Sequence, residues 1–135
     1  MHWRDLRMNI NVSPNNPIPL YQQIADQMRA GILRGELSSG DPLPSIRQLA
    51  NQLLASVITT KRAYSELEAE GLIITRAGLG TFVADLGPDA IIGLKKEVVM
   101  ERLEEGVRVA RQLRLDDDET TRLFLQALDG SDEDV

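Results

Sequence analysis

LPSIRQLANQLLASVITTKRAY, residues 43–64, decides how this chain folds. Its spacing predicts two short helices joined by a tight turn. Pro44 sits just ahead of Ser45, and Ser45 with Gln48 has the S-x-x-Q spacing of a capping box. Ile46, Leu49, Ala50 and Leu53 then fall on one face at helical spacing. Ser56 is a second N-cap, with Thr59, Thr60, Lys61 and Arg62 in the turns behind it. The first helix carries Arg47. The second presents hydroxyls and cations at its N-terminal end, as a helix-turn-helix does when it offers a recognition helix to the DNA major groove. Taken alone, the stretch fits a buried helical hairpin equally well.

The flanks separate the two readings. Downstream runs ELEAEGLIITRAGLGTFVAD, residues 66–85. Gly71 is placed to end the helix as a left-handed cap. Two β-rich runs, Leu72 to Thr75 and Thr81 to Val83, enclose a glycine-containing turn and read as a hairpin. A hairpin directly after a recognition helix is a wing. Upstream, PLYQQIADQMRAGILRGEL is an amphipathic helix from about Leu20 to Arg34, with Leu20, Ile24, Met28 and Ile32 on its apolar stripe.

In this order and spacing, PLYQQIADQMRAGILRGEL, GDPLPSIRQLA, RAYSELEAEGLI and GLGTFVAD resemble the winged-helix domain of the GntR family of bacterial transcription regulators. The resemblance covers roughly Pro17 to Asp85. The run SVITTKRAYSELEAEGLI, followed by a short C-terminal region, is most similar to the YtrA-like branch. The fold class expected is mainly α with a small β hairpin: a winged helix-turn-helix domain plus a two-helix C-terminal dimerisation region. The resemblance implies a transcriptional repressor that binds a (pseudo)palindromic double-stranded DNA operator as a homodimer, controlling its own operon together with transporter genes.

Composition narrows the class. At 135 residues and 42% hydrophobic, the chain can build one modest core. It has no cysteine, which excludes a disulfide framework and a thiolate nucleophile. No segment approaches 18 unbroken apolar residues, and the N-terminus lacks the apolar core of a signal peptide, so a cytoplasmic protein without a membrane partner is expected. No metal site or cofactor is expected, and no catalytic constellation: the one histidine, His2, is terminal, and the carboxylates lie on solvated helix faces.

The net charge of −6 argues against a nucleic-acid binder at first sight. Its distribution changes that. Residues 1–87 hold eight Lys/Arg and eight Asp/Glu, and residues 88–135 hold seven and thirteen. The excess acid therefore lies wholly in the C-terminal part. A winged-helix adaptor that binds protein rather than DNA is the alternative that the net charge favours.

The chain divides as an N-terminal extension with a short strand (1–16), the winged domain (17–86), the dimerisation region (88–130) and an acidic tail (131–135). Met8, Ile10 and Val12 alternate with asparagines at strand period. Leu86-Gly87-Pro88 is a break. Asp89 is an N-cap for a long helix, and Asp116 to Glu119 starts the last one. Ile92, Val99, Leu103, Val107 and Ala110 line one face of the long helix, and Leu123, Phe124 and Leu128 belong to the last. Two helices of this size have too little neighbouring protein to cover these stripes, which points to a partner subunit. A small-molecule effector between subunits is left open, since nothing marks a pocket.

For DNA contact, Arg47 leads, because its fixed fork of donors suits a phosphate or a guanine edge. Ser45, Ser56, Thr59 and Thr60 suit phosphate hydrogen bonds. Lys61 and Arg62 add charge. In the wing, Gly78 and Gly80 let the backbone approach closely, and Arg76 follows. Two departures from the family pattern stand at the turn, where glycine, a β-branched residue, serine and arginine are usual. Here the residues are Leu54, Ala55, Ser56 and Val57. The missing glycine implies either no left-handed residue or a strained one. In place of the missing arginine, Val57 and Ile58 are left to touch thymine methyls or to pack inside.

Overall fold

A computed structural model describes residues 9–131, in two compact units that divide between Ile91 and Ile92. The first unit holds helices α1 (Leu20–Leu33), α2 (Ile46–Leu53) and α3 (Val57–Ala69) and strands β1 (Pro42–Leu43), β2 (Ile73–Arg76) and β3 (Gly80–Val83). The long helix α4 (Pro88–Gln112) leads into the second unit, which ends with α5 (Asp117–Ser131).

The core of the first unit forms where three helical stripes meet. Ile24, Met28 and Ile32 of α1, Leu49 and Ala50 of α2, and Ala63, Tyr64 and Leu67 of α3 are all buried. Tyr64 joins α3 to the start of α2, its hydroxyl donating to the Pro44 carbonyl at 2.6 Å. Burial raises its pKa and keeps the phenol neutral. Arg29 of α1 clamps the end of α3 through a bidentate pair with Glu70 and reaches Asp26 as well. Of these, the hydrogen bonds to Glu70 do most to raise the pKa of Arg29.

Both predicted caps form. Ser45 Oγ accepts from the Gln48 amide at 3.1 Å while Gln48 Oε1 accepts from the Ser45 amide at 2.9 Å. Ser56 Oγ accepts from the Thr59 amide at 3.0 Å.

The helix ends share one device. After α1, Gly35 at φ +81° lets Glu36 N–H reach back to the Gly31 carbonyl, and after α3, Gly71 at φ +79° does the same for Leu72 and Leu67. After α2 the left-handed place falls to Leu54 (φ +55°), with Ala55 N–H donating to the Ala50 carbonyl at 2.9 Å. The turn without glycine is therefore the strained one. A non-glycine residue there costs roughly 1–2 kcal/mol, and Leu54 recovers nothing by packing, being 93% exposed. Leu54→Gly should raise stability by about 1 kcal/mol in urea unfolding. An unchanged or lower midpoint would refute the strain.

The wing is larger than the expected hairpin. β3 pairs antiparallel with β2 (Ile73 opposite Val83, Arg76 opposite Gly80) and also with β1 (Pro42 opposite Phe82, Leu43 opposite Thr81), in the order β1-β3-β2. Pro42 lacks a donor, which an edge strand tolerates.

Two further expectations need correction. No strand forms over residues 9–12, and Met8 lies outside the described residues. Helix side chains replace a neighbouring strand: Gln27 holds Asn11 at both its N–H and its carbonyl, and Gln23 does the same for Ser13. Asp89 is not the N-cap of α4. The helix begins at Pro88, a favoured first position, with Ile91 N–H donating to the Gly87 carbonyl. Asp116 does cap α5, accepting from the Glu119 amide at 2.8 Å.

In the second unit, Ala110 is the sole buried residue of α4, and no residue of α5 up to Gly130 is buried. No helix among the described residues is long and apolar enough to cross a membrane.

Candidate nucleic-acid interface

The C-terminal half of α3 is held in the core, and one face of its first turn, at Val57 and Ile58, is exposed. Leu67, Tyr64 and Ala63 anchor the helix. At its start, Ile58 is 82% exposed and Val57 is exposed beside it. Of the two readings of these apolar residues, packing inside is excluded. Arg47, Lys61 and Arg76 are exposed as well, and neither the Arg47 nor the Lys61 side chain has a hydrogen bond or ion pair among the described residues. Glu36 and Asp41, the acids nearest in sequence ahead of Arg47, are engaged elsewhere, by Arg34 and by the Ser38 amide. Two side-chain cations without an ion pair among the described residues have their charge available for an outside anion.

An open groove of about 440 Å³ runs between the start of α2, the outer side of α3 and the wing. Ser45, Gln48 and Lys61 line one side, and Thr75, Gly80 and Thr81 the other. The groove brings together residues far apart in sequence: Ser45, Lys61 and Gly80. Glu68 also faces it and accepts a long hydrogen bond from Thr75 Oγ1 at 3.4 Å.

Several residues fall elsewhere than the sequence implies. Thr60 is fully buried and its hydroxyl donates to the Ser56 carbonyl at 3.0 Å, so it faces the core. Ser56 Oγ donates to Thr59 Oγ1 at 2.8 Å while accepting from the Thr59 amide, so both hydroxyls already serve the cap. Arg62 lies over the Tyr21 ring, 3.7 Å from its centroid, and ties α3 to α1. Arg76 ends β2 just before the wing turn, 5.8 Å from the centroid of the Phe82 ring.

At the wing tip, Gly78 (φ +75°) and Gly80 (φ +120°) both take conformations that a side chain would strain. Leu79 between them is 73% exposed. Sequence reading passed over it, because one leucine in a turn carries no periodicity. Its position between two glycines was the available signal.

On the second unit, Ile92, Val99, Leu103, Leu123, Phe124 and Leu128 are each between 39 and 51% or, for Val99, 57% exposed. Val107 is half-buried, and Ala110 is already covered within the chain. Among the described residues, no group of His, Cys, Asp and Glu side chains is placed to hold a metal ion.

Comparison with known proteins agrees with this geometry. A family profile described as bacterial regulatory proteins, gntR family, matches residues 20–83. The HTH-type transcriptional repressor YtrA of Bacillus subtilis (strain 168) is 36% identical over 96 residues, covering 71% of this chain and 74% of its own. A GntR family transcriptional regulator from Listeria monocytogenes superposes with a TM-score of 0.67 at 26% identity, over 83% of this chain and 97% of its own. The DNA-binding domain of AraR in complex with operator ORX1 superposes with a TM-score of 0.51 at 25% identity, over 57% of this chain and 96% of its own.

Proposed function

The chain belongs to the GntR family of bacterial regulatory proteins, and from that premise we propose that it represses transcription as a homodimer on a two-fold operator. The observation that carries this reading is the start of α3, with Val57 and Ile58 exposed on it, together with the exposed Arg47 and Lys61, whose side chains have no ion pair among the described residues. α3 enters the major groove from Val57 onward. Val57 and Ile58 meet thymine methyls. Arg47 and Lys61 take backbone phosphates or base edges, and the exposed Ser45 lies at the same groove. Ser56 and Thr59 act chiefly by holding the helix start, and Arg62 by fixing α3 on α1. The wing lies along the neighbouring minor groove, with Arg76 just before its turn.

A winged domain with no net positive charge, eight Lys/Arg against eight Asp/Glu over residues 1–87, binds DNA weakly alone, so two copies are needed. The open apolar faces of α4 and α5 supply the contact between them, placing two recognition helices about 34 Å apart or a multiple of it. The protein acts in the cytoplasm, on an operator near its own promoter. The reading assigns no effector and no catalytic step.

The test is a titration of the duplex upstream of the protein's own gene against a scrambled duplex, at several salt concentrations. Native DNA should bind ~10³-fold or more tighter, with affinity falling by roughly 0.9 log unit per phosphate contact for each log unit of salt. Arg47→Ala should cost about 1–3 kcal/mol if Arg47 reads a base, or flatten the salt slope by about 1 if it holds a phosphate. Absence of binding to any duplex at low salt would sink the regulator reading and favour a protein partner.

A further inference from the structure

We propose that Leu79 is a specificity-determining side chain, an apolar wing tip that enters the DNA minor groove and selects against guanine at the base pair it covers. The inference rests on the regulator reading above and adds what the wing discriminates.

Leu79 is the one large apolar residue of the wing that stands exposed. Leu43, Ile73 and Val83 of the sheet are buried, and Ile74 and Phe82 are half-buried, but Leu79 is 73% exposed. Leu79 N–H donates to the Arg76 carbonyl at 3.0 Å, which fixes the turn beneath it. A Cβ added at Gly78 would meet nothing within 4 Å, and one at Gly80 would meet only Phe82 Cε2, at 4.0 Å. The glycines are therefore not there to make room inside the protein. They set the backbone and keep the tip thin, with Leu79 as its single large side chain. The paired strands are too wide for a groove roughly 6 Å across, but a single side chain at the turn can enter it.

The turn itself carries no charge. From Ala77 to Ala84 there is no ionisable residue, and the nearest cation is Arg76, the last residue of β2, opposite Gly80. Leu79 itself gains nothing by displacing counterions from phosphates, which is left to Arg76. An exposed leucine gains when water is removed from it.

The chemistry of the groove floor then sets the preference. A·T and T·A present only acceptors there, whereas G·C adds the guanine N2 amino donor. Leucine placed over G·C would strip water from that donor and offer no acceptor in return. Leucine over A·T leaves no donor unsatisfied. Leu79 thus reads the absence of an amino group.

The experiment starts from a duplex selected from a random pool by the full-length protein. Each A·T pair beneath the wing is exchanged for G·C and, separately, for inosine·cytosine, which lacks the minor-groove amino group. Affinities are measured for wild type and Leu79→Ser. At one wing position, G·C should weaken wild-type binding about tenfold, inosine·cytosine should restore it, and Leu79→Ser should bind both duplexes alike. Equal wild-type binding to G·C and inosine·cytosine throughout, or discrimination that survives in Leu79→Ser, overturns the role of Leu79 and leaves the regulator reading intact. Selection of no duplex overturns that reading and this inference together.

Discussion

Leu103→Glu is expected to weaken operator binding by roughly 10²–10⁴-fold while leaving the winged domain folded. Leu103 lies on the stripe of α4 with Ile92 and Val99, is 39% exposed and belongs to the second unit, outside the core that folds α1 to α3. In the proposed two-fold contact one substitution places two carboxylates in the interface, and each must be stripped of water or push the subunits apart. The loss on DNA follows from linkage. Once one half-site is occupied, a dimer binds the second at a high effective concentration, and a monomer forfeits that advantage without losing a single direct contact. Glu104→Gln, on the polar side of the same helix, is the control and should change neither property. Sedimentation equilibrium and anisotropy on one preparation decide the matter. A wild-type protein that is monomeric at the concentrations where it binds its operator, or a Leu103→Glu variant that dimerises and binds normally, would refute the arrangement.

Leu67→Ala should destabilise the first unit by about 2–5 kcal/mol, lowering its melting temperature by on the order of 10 °C or more. Leu67 has no exposed surface, and it sits where α3 ends on α1. Its carbonyl accepts from Leu72 N–H in the turn that starts the wing, and Leu72 is buried too. Removing the Leu67 side chain opens a cavity between the recognition helix and the sheet. Ile58→Ala, on the opposite face of the same helix, should do the reverse. Ile58 is 82% exposed, so stability should stay within about 0.5 kcal/mol while operator affinity falls. Thermal unfolding paired with DNA titration separates the two faces. Equal melting temperatures for Leu67→Ala and wild type would contradict the core described above.

Much of the domain was legible because its signals are local. A serine three residues ahead of a glutamine forms its capping box from atoms within one turn. Gly35 and Gly71 close their helices through hydrogen bonds spanning five residues. The apolar stripes needed only helical periodicity. The site was legible in part. Arg47 and Lys61 stand exposed, as do Val57 and Ile58, which the sequence left open between exposure and packing, while Thr60 and Arg62 are drawn into packing by Ser56 and Tyr21. Residue type could not separate these, because adjacent positions on a helix differ in direction by about 100° and the core is set by the neighbouring helices.

What the sequence by itself determined is the order of the first three helices, the N-caps of α2 and α3, the glycines that end α1 and α3, the hairpin behind them, and the division of charge between the two parts of the chain. Each of these depends on contacts within a few residues or on plain counting. Only the tertiary structure decided that Leu54 carries the left-handed turn, that Pro42 and Leu43 add a third strand to the wing, and that Gln23 and Gln27 hold the N-terminal segment where a strand was expected. It alone left the Arg47 side chain without an ion pair among the described residues and Leu79 without cover. The reason is physical. A hydrogen-bond partner 16 residues away, or the lack of a neighbour above a side chain, is fixed when separate elements pack, and no pattern confined to a few residues carries that information.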